Sequence, residues 1–205
     1  MMRQIFALGT YQRDVDAALT QTNENKTVER IWKRDPFLWK SDAREHQELA
    51  DRLGWLNVAR DMQPHVADLC AFANEIKRAG FKDVVLCGIG GSALCVEVLR
   101  VTLGTARGFP QMHVFDTIDP ASIRALERKI DLKKTLFIIA SKSGGTTETL
   151  TQFKYFRSRA ADGKQFIAIT DAGSVLDRLA QENNFRRIFH NPPDIGGRFS
   201  ALSYF

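Results

Sequence analysis

The chain has 205 residues, 44% hydrophobic and 26% charged, with 29 Lys and Arg against 24 Asp and Glu, a net charge of 29 − 24 = +5. That composition belongs to a globular protein with a buried core and excludes an overall disordered chain. No uninterrupted apolar run is longer than five residues (69–73 and 136–140), far short of the roughly 18 that a membrane span needs. Apolar residues 5–8 give way to Tyr11-Gln12-Arg13-Asp14, so neither a secretory leader nor a membrane partner is expected. Basic residues are scattered in runs no longer than two, so no nucleic-acid partner is expected. Cys70, Cys87 and Cys95 lack metal-ligand spacing and sit among apolar residues. They read as buried thiols in a reducing compartment, the cytoplasm, with no bound metal.

Residues 1–80 read as a helical extension, with no convincing strand and with breaks at Thr22-Asn23, at Asp35-Pro36 and around Gly54. Within it, Val66, Leu69, Cys70, Ala73, Ile76 and Lys77 recur at i, i+3, i+4 spacing over 62–79, and Gly80 supplies the stop.

From residue 81 the period changes. Short apolar runs at 84–87, 113–115, 136–140, 166–169 and 187–189 read as strands. The stretches 92–103, 120–129, 147–161 and 174–182 between them read as helices, and Asp119-Pro120 supplies an N-cap followed by Pro at the first helical position. Strands apolar along their whole length, alternating with helices, imply a five-stranded parallel sheet covered on both faces. With right-handed crossovers, residues 81–205 form a doubly wound α/β domain. Ligands of such a sheet sit beyond the carboxyl ends of its strands.

Three loops at that edge are unusual. After the first strand come Gly88, Gly90, Gly91 and Ser92. Glycines there let backbone approach a ligand, the following helix offers unpaired N–H groups to a phosphate, and Ser92 adds a hydroxyl at the N-cap. The bland alternative is a tight turn in which Ser92 only caps. Gly88-x-Gly90-x-x-Ala93 also fits a dinucleotide fingerprint, with Asp116 at the end of the second strand as the ribose-binding acid. After the third strand, Ser141-Lys142-Ser143-Gly144-Gly145-Thr146-Thr147-Glu148-Thr149 forms a dense donor cluster whose order is not that of a Walker loop. Two donor loops on neighbouring strands favour a phosphorylated small molecule over a dinucleotide. After the last strand, Gly196-Gly197-Arg198 sets a guanidinium close to a ligand, where its fixed fork suits an oxyanion.

Taken together, the loops 88–92, 141–149 and 196–200 resemble the three phosphosugar motifs of the phosphoglucose isomerase family, in the family's order and spacing. Asp35-Pro36-Phe37-Leu38-Trp39 and Arg52-Leu53-Gly54-Trp55-Leu56 are similar to the helical preface of bacterial members, some of them fused behind a transaldolase. The resemblance implies a sugar isomerase (SIS) domain with a flavodoxin-like sheet, and interconversion of glucose 6-phosphate and fructose 6-phosphate through an enediolate. It implies that Gly91, Ser92, Ser141, Lys142, Ser143, Thr146 and Gly197 hold the sugar phosphate beside the reacting carbons, and that Arg198 stabilises the enediolate. It also implies no cofactor, a phosphosugar as the small-molecule partner, and a homodimer.

The reaction needs a base to carry a proton between carbons and an acid–base group to open the ring. The resemblance places these beyond Phe205, so the chain is expected to be the first part of a longer enzyme, inactive alone. Inside the chain, Glu148 is expected to cap its helix. His46 and His65 fall in the preface, His113 opens the second strand at its wrong end, and His190 alone lies near the crevice. The competing readings are a stand-alone SIS phosphosugar sensor and a nicotinamide-dependent oxidoreductase.

Overall fold

The computed structural model describes residues 7–160 and 162–205. Residues 5 and 6 of the amino-terminal apolar stretch and Ala161, the expected end of one helix, lie outside the described residues.

The preface folds as short helices: α1 (Gln12–Glu24), α2 (Thr27–Trp32), α3 (His46–Ala50), α4 (Val58–Asp61) and α5 (Val66–Arg78). α1 runs through the expected break at Thr22-Asn23. The chain turns instead just after it, where Lys26 takes the left-handed φ of +50°. At the second break Asp35 accepts from the Phe37 N–H and Pro36 opens the next turn, as the dipeptide suggests.

The apolar face of α5 is rotated from its expected position. Leu69, Phe72 and Ile76 turn inward, while Val66, Cys70, Ala73 and Lys77 face solvent. Phe72 decides the phase: its ring meets Phe189 edge-on at 5.4 Å. Burying one aromatic removes more apolar area from water than burying the smaller stripe of Val, Cys and Ala. In consequence Cys70 is exposed; Cys95, on a later helix, is half-buried. Of the three thiols only Cys87 is buried as expected.

The remaining chain forms β1 (Asp83–Gly88), α6 (Gly91–Leu103), β2 (Gln111–Phe115), α7 (Pro120–Glu127), β3 (Thr135–Ala140), α8 (Thr147–Arg157), β4 (Phe166–Thr170), α9 (Val175–Glu182) and β5 (Arg187–His190). Every strand pair is parallel and the order is β2-β1-β3-β4-β5, the flavodoxin-like arrangement. α8 ends at Arg157, short of the expected 161. His113 is the third residue of β2 rather than its first, and its Nε2 lies 2.8 Å from Asp83 Oδ1 at the amino end of β1.

Alternate residues of each central strand serve two cores. Val85, Cys87, Phe137, Ile139, Phe166 and Ala168 pack against α7, α8 and α9. Val84, Leu86, Leu136, Ile167 and Ile169 pack against α5 and α6. The first core is aromatic, with Phe137 stacked between Phe156 at 4.7 Å and Phe166 at 5.2 Å. Such pairs contribute about 0.5–1.5 kcal/mol each beyond area burial. This rigid slab fixes the carboxyl ends of β1, β3, β4 and β5 side by side, and the loops leaving them share one edge.

Candidate functional site

After β1, Gly90 takes φ +59° at the cap position and α6 begins at Gly91. Ser92 is therefore the second helical residue, not the N-cap the sequence suggested. A Cβ on Gly91 would lie 2.1 Å from the Gly197 carbonyl oxygen. Only glycine lets the first and third loops meet backbone to backbone. Buried Ser200 closes this contact from below, its Oγ donating to Gly197 O at 2.6 Å and reaching Gly91 O at 3.4 Å.

The loop after β3 is built around its hydroxyls. Ser141 is buried and its Oγ lies 2.9 Å from Thr146 Oγ1. Thr146 occupies the cap position of α8 without capping it, so its hydroxyl stays with Ser141 at the cleft wall. Gly144, at φ +68°, leaves room for Ser174, whose Oγ would stand 2.5 Å from a Cβ there. Ser143 is exposed at the rim. Lys142 is fully engaged on one side: Nζ donates to Asp171 Oδ2 at 2.6 Å and to Pro193 O at 3.1 Å.

The third loop carries Arg198 in a single 3-10 turn, Gly197–Phe199, and leaves it exposed. The preface pins this loop. Gly54 N–H donates to Asp194 O at 2.8 Å, Arg34 Nη1 donates to the Asp194 carboxylate at 2.6 Å, and Trp55 stacks on Phe199 at 6.0 Å. Gly54 has no room for a side chain, since its Cβ would fall 2.5 Å from that carboxylate.

These loops enclose a cleft of about 910 Å³ lined by Gly91, Ser92, Lys142, Ser143, Thr146, Gly197 and Arg198. Of the residues expected to hold the phosphate, Ser141 alone is set back, supporting Thr146 from behind. Sequence reasoning missed Asp171, just past β4, and a third wall from the preface: Arg44, Gln47, Glu48, Asp51 and Arg52. The similarity of the segment 52–56 to a known preface was the one signal there. Three of the four lining cations have carboxylate partners: Arg44 with Asp42, Arg52 with Glu48, and Lys142 with Asp171. Among the described residues the Arg198 guanidinium has none; it stands beside the helix terminus at Gly91, while the lining carboxylate without a cation, Asp51, sits on the preface wall and accepts from Gln47. An anion with hydroxyl-matching oxygens fits such a cradle.

The histidines lie elsewhere. His46 Nε2 sits 2.8 Å from Lys40 O. His190, expected to be alone near the crevice, lines a separate cavity of about 470 Å³ that it shares with His65. Its Nε2 lies 3.0 Å from the buried Asp177 carboxylate. The His190 hydrogen bond, aided by the Gly173 N–H, holds that carboxyl below the ordinary carboxylate value. Glu148 lies in the first turn of α8, outside the cleft lining. Burial pushes the Cys87 thiol up and out of reach of ionisation beneath the first loop. Among the described residues no group of three His, Cys, Asp or Glu could hold a metal ion, and no helix is long and apolar enough to cross a membrane.

A parallel sheet of this order, with two glycine-rich donor loops and an arginine loop at its carboxyl edge, defines a flavodoxin-like α/β domain with an anion cradle at that edge. The phosphoglucose isomerase family model matches residues 57–205, and the chain belongs to that family. It is 32% identical over 183 residues to a glucose-6-phosphate isomerase of Chlamydia trachomatis, covering 86% of this chain and 32% of that protein. The crystal structure of the Chlamydia trachomatis glucose-6-phosphate isomerase aligns at TM-score 0.57 and 30% identity, covering 85% of this chain and 32% of the other. A hypothetical protein of Thermus thermophilus aligns at TM-score 0.69 and 26% identity, covering 94% of this chain and 45% of the other. The chain spans about a third of the length of the curated relatives it matches.

Proposed function

We propose that the cleft binds the phosphate of a sugar phosphate, and that the chain is the phosphosugar-binding portion of a cytoplasmic, homodimeric glucose-6-phosphate isomerase. In this reading residues 1–80 form the helical preface and residues 81–205 the SIS domain. The observation that carries it is the backbone contact of Gly91 with Gly197, which draws the hydroxyl loops and Arg198 around one cleft. Ser92, Ser143, Thr146 and the amino terminus of α6 hold the phosphate, with Ser141 fixing Thr146. Arg198 faces the reacting carbons and stabilises the enediolate as its charge develops, because a fixed guanidinium fork costs no reorganisation when the oxyanion forms. His46, His65 and His190 lie outside the cleft lining, so the part assigned to this chain's own residues is phosphate binding and oxyanion stabilisation.

Ligand-observed NMR on the purified chain tests the reading. Glucose 6-phosphate is expected to bind at roughly millimolar Kd, the affinity that corresponds to about 4 kcal/mol. Inorganic phosphate should compete, and neutral glucose should not bind. Ser143→Asp, at an exposed position, should abolish binding without unfolding the chain, since it sets a carboxylate against the phosphate. Equal binding of glucose and its phosphate would remove the phosphate from the account. In an active isomerase carrying this chain, Arg198→Ala should lower kcat by about 10²–10³ while changing KM little. A change in KM alone would make Arg198 a binding residue.

A further inference from the structure

Lys142 has the composition of a phosphate-binding lysine and the bonding of something else. Its backbone carbonyl accepts from the Asp171 N–H at 3.0 Å, and its ammonium returns to the Asp171 carboxylate at 2.6 Å. The loops after β3 and β4 are thus tied in both directions. A second ammonium hydrogen reaches Pro193 O at 3.1 Å, in the segment that leads from β5 to Arg198. On the far side of that segment the next residue, Asp194, is held by Arg34 and by the Gly54 N–H. An ammonium has three hydrogens, so one remains for a ligand in the cleft that Lys142 lines.

Asp171 is an odd residue to find there on grounds of stability. One of its oxygens is bound to the lysine, and the other, Oδ1, is buried with no hydrogen-bond partner. A carboxylate oxygen without a donor is unfavourable, and a negative charge at the wall of an anion cleft opposes binding. Both penalties are tolerable if the carboxylate has a placing role. We propose that Asp171 is a positioning residue: through Lys142 it locks the phosphate loop to the arginine loop, so that phosphate capture and the placement of Arg198 are one event. This rests on the phosphate reading of the cleft, and it assigns Asp171 no contact with substrate.

Two readouts test it, one of them independent of any ligand. In Asp171→Ala the Lys142 ammonium loses its anchor, and the backbone amide resonances of Gly196, Gly197 and Arg198 should shift relative to wild type. Asp171→Asn keeps an acceptor for the ammonium and should restore them. With inorganic phosphate as the probe, Asp171→Ala should bind about 5- to 10-fold more weakly than wild type, the loss expected when one hydrogen bond to the ligand is weakened by misplacement. Asp171→Asn should bind at least as well as wild type. In a Lys142→Met background, Asp171→Ala should no longer weaken phosphate binding, because the tie it breaks is already gone and the carboxylate it removes only repels the anion. Unmoved third-loop amides in Asp171→Ala would overturn the proposal, as would tighter phosphate binding by that variant, which would make Asp171 a charge brake. If wild type failed to bind phosphate, the reading of the cleft would fall, and the amide shifts would still decide whether Asp171 locks the two loops.

Discussion

The first part of the preface, through α3, and the sheet are held by different forces. The sheet is locked by apolar burial: Phe137, Phe156 and Phe166 are inaccessible to solvent and stack in one row. By contrast α1, α2 and α3 bury no residue at all. What ties that part of the chain down is a short polar seam: the Leu53–Ile195 bridge, the Gly54–Asp194 hydrogen bond and the Arg34–Asp194 ion pair. Every one of these contacts lands on the segment that carries Arg198. The sheet therefore sets where the loops begin, and the preface acts as a strap that sets how the last of them lies.

Breaking the first kind of force should cost most. Phe137→Ala removes the centre of the aromatic row and should destabilise the chain by about 3–5 kcal/mol, read as a lowered denaturant midpoint. Gly91→Ala attacks the joint between loops. Its Cβ has a carbonyl 2.1 Å away, and overpacking of this kind costs about 1–3 kcal/mol. Phosphosugar binding should be lost while the far-ultraviolet circular dichroism stays native.

Asp177 offers a pH test within the sheet region. Its folded carboxyl lies below the ordinary 3.8, chiefly through the His190 hydrogen bond. The unfolded chain therefore takes up the proton first as pH falls. The stabilisation is complete above the unfolded value and is lost as pH drops through 3.8 toward the folded one. Asp177→Asn should lower stability at pH 7 by about 1–3 kcal/mol and flatten this acid limb. An unchanged acid limb would show that other carboxylates govern it.

The smallest effect belongs to the strap. Arg34 and Asp194 are each about a third exposed, at 32% and 33%, so Arg34→Ala should cost only about 0.2–1 kcal/mol of global stability. It should nevertheless speed proteolysis within residues 25–45 and weaken phosphosugar binding. If cleavage and binding were both unaffected, the seam would not control the third loop.

The sheet was readable from the sequence because its strands are apolar throughout and its loops are punctuated by glycine. All five strands fall within a few residues of their expected places. The error on α5 came from two overlapping stripes, one of small side chains and one carrying Phe72; spacing alone does not rank them, and burial does. Ser141 and Ser143 look alike in sequence, yet the first points into the protein and the second stands at the rim. Lys142 read as a phosphate ligand, and its tie to Asp171 was hidden because that partner lies 29 residues away on the neighbouring strand's loop. The preface wall of the cleft was illegible for a related reason. Arg44 and Arg52 reach the site through docking onto Asp194, and no local pattern encodes that contact.

The three thiols give this molecule a built-in clock for its own motions. Cys70 stands in solvent on α5, Cys95 is half-covered on α6, and Cys87 is sealed at the end of β1. A thiol reagent should therefore consume them in that order, at rates set by how much structure must open to admit it. Cys70 should react first, since no structure has to open to admit the reagent. Cys95 should report local loosening of α6 beside the arginine loop. Cys87 should wait for cooperative opening of the sheet, so that its labelling rate follows global stability while the other two do not. A ligand that clamps the first and third loops should slow Cys95 and leave Cys70 unchanged, which makes alkylation kinetics a gauge of site closure that needs no turnover.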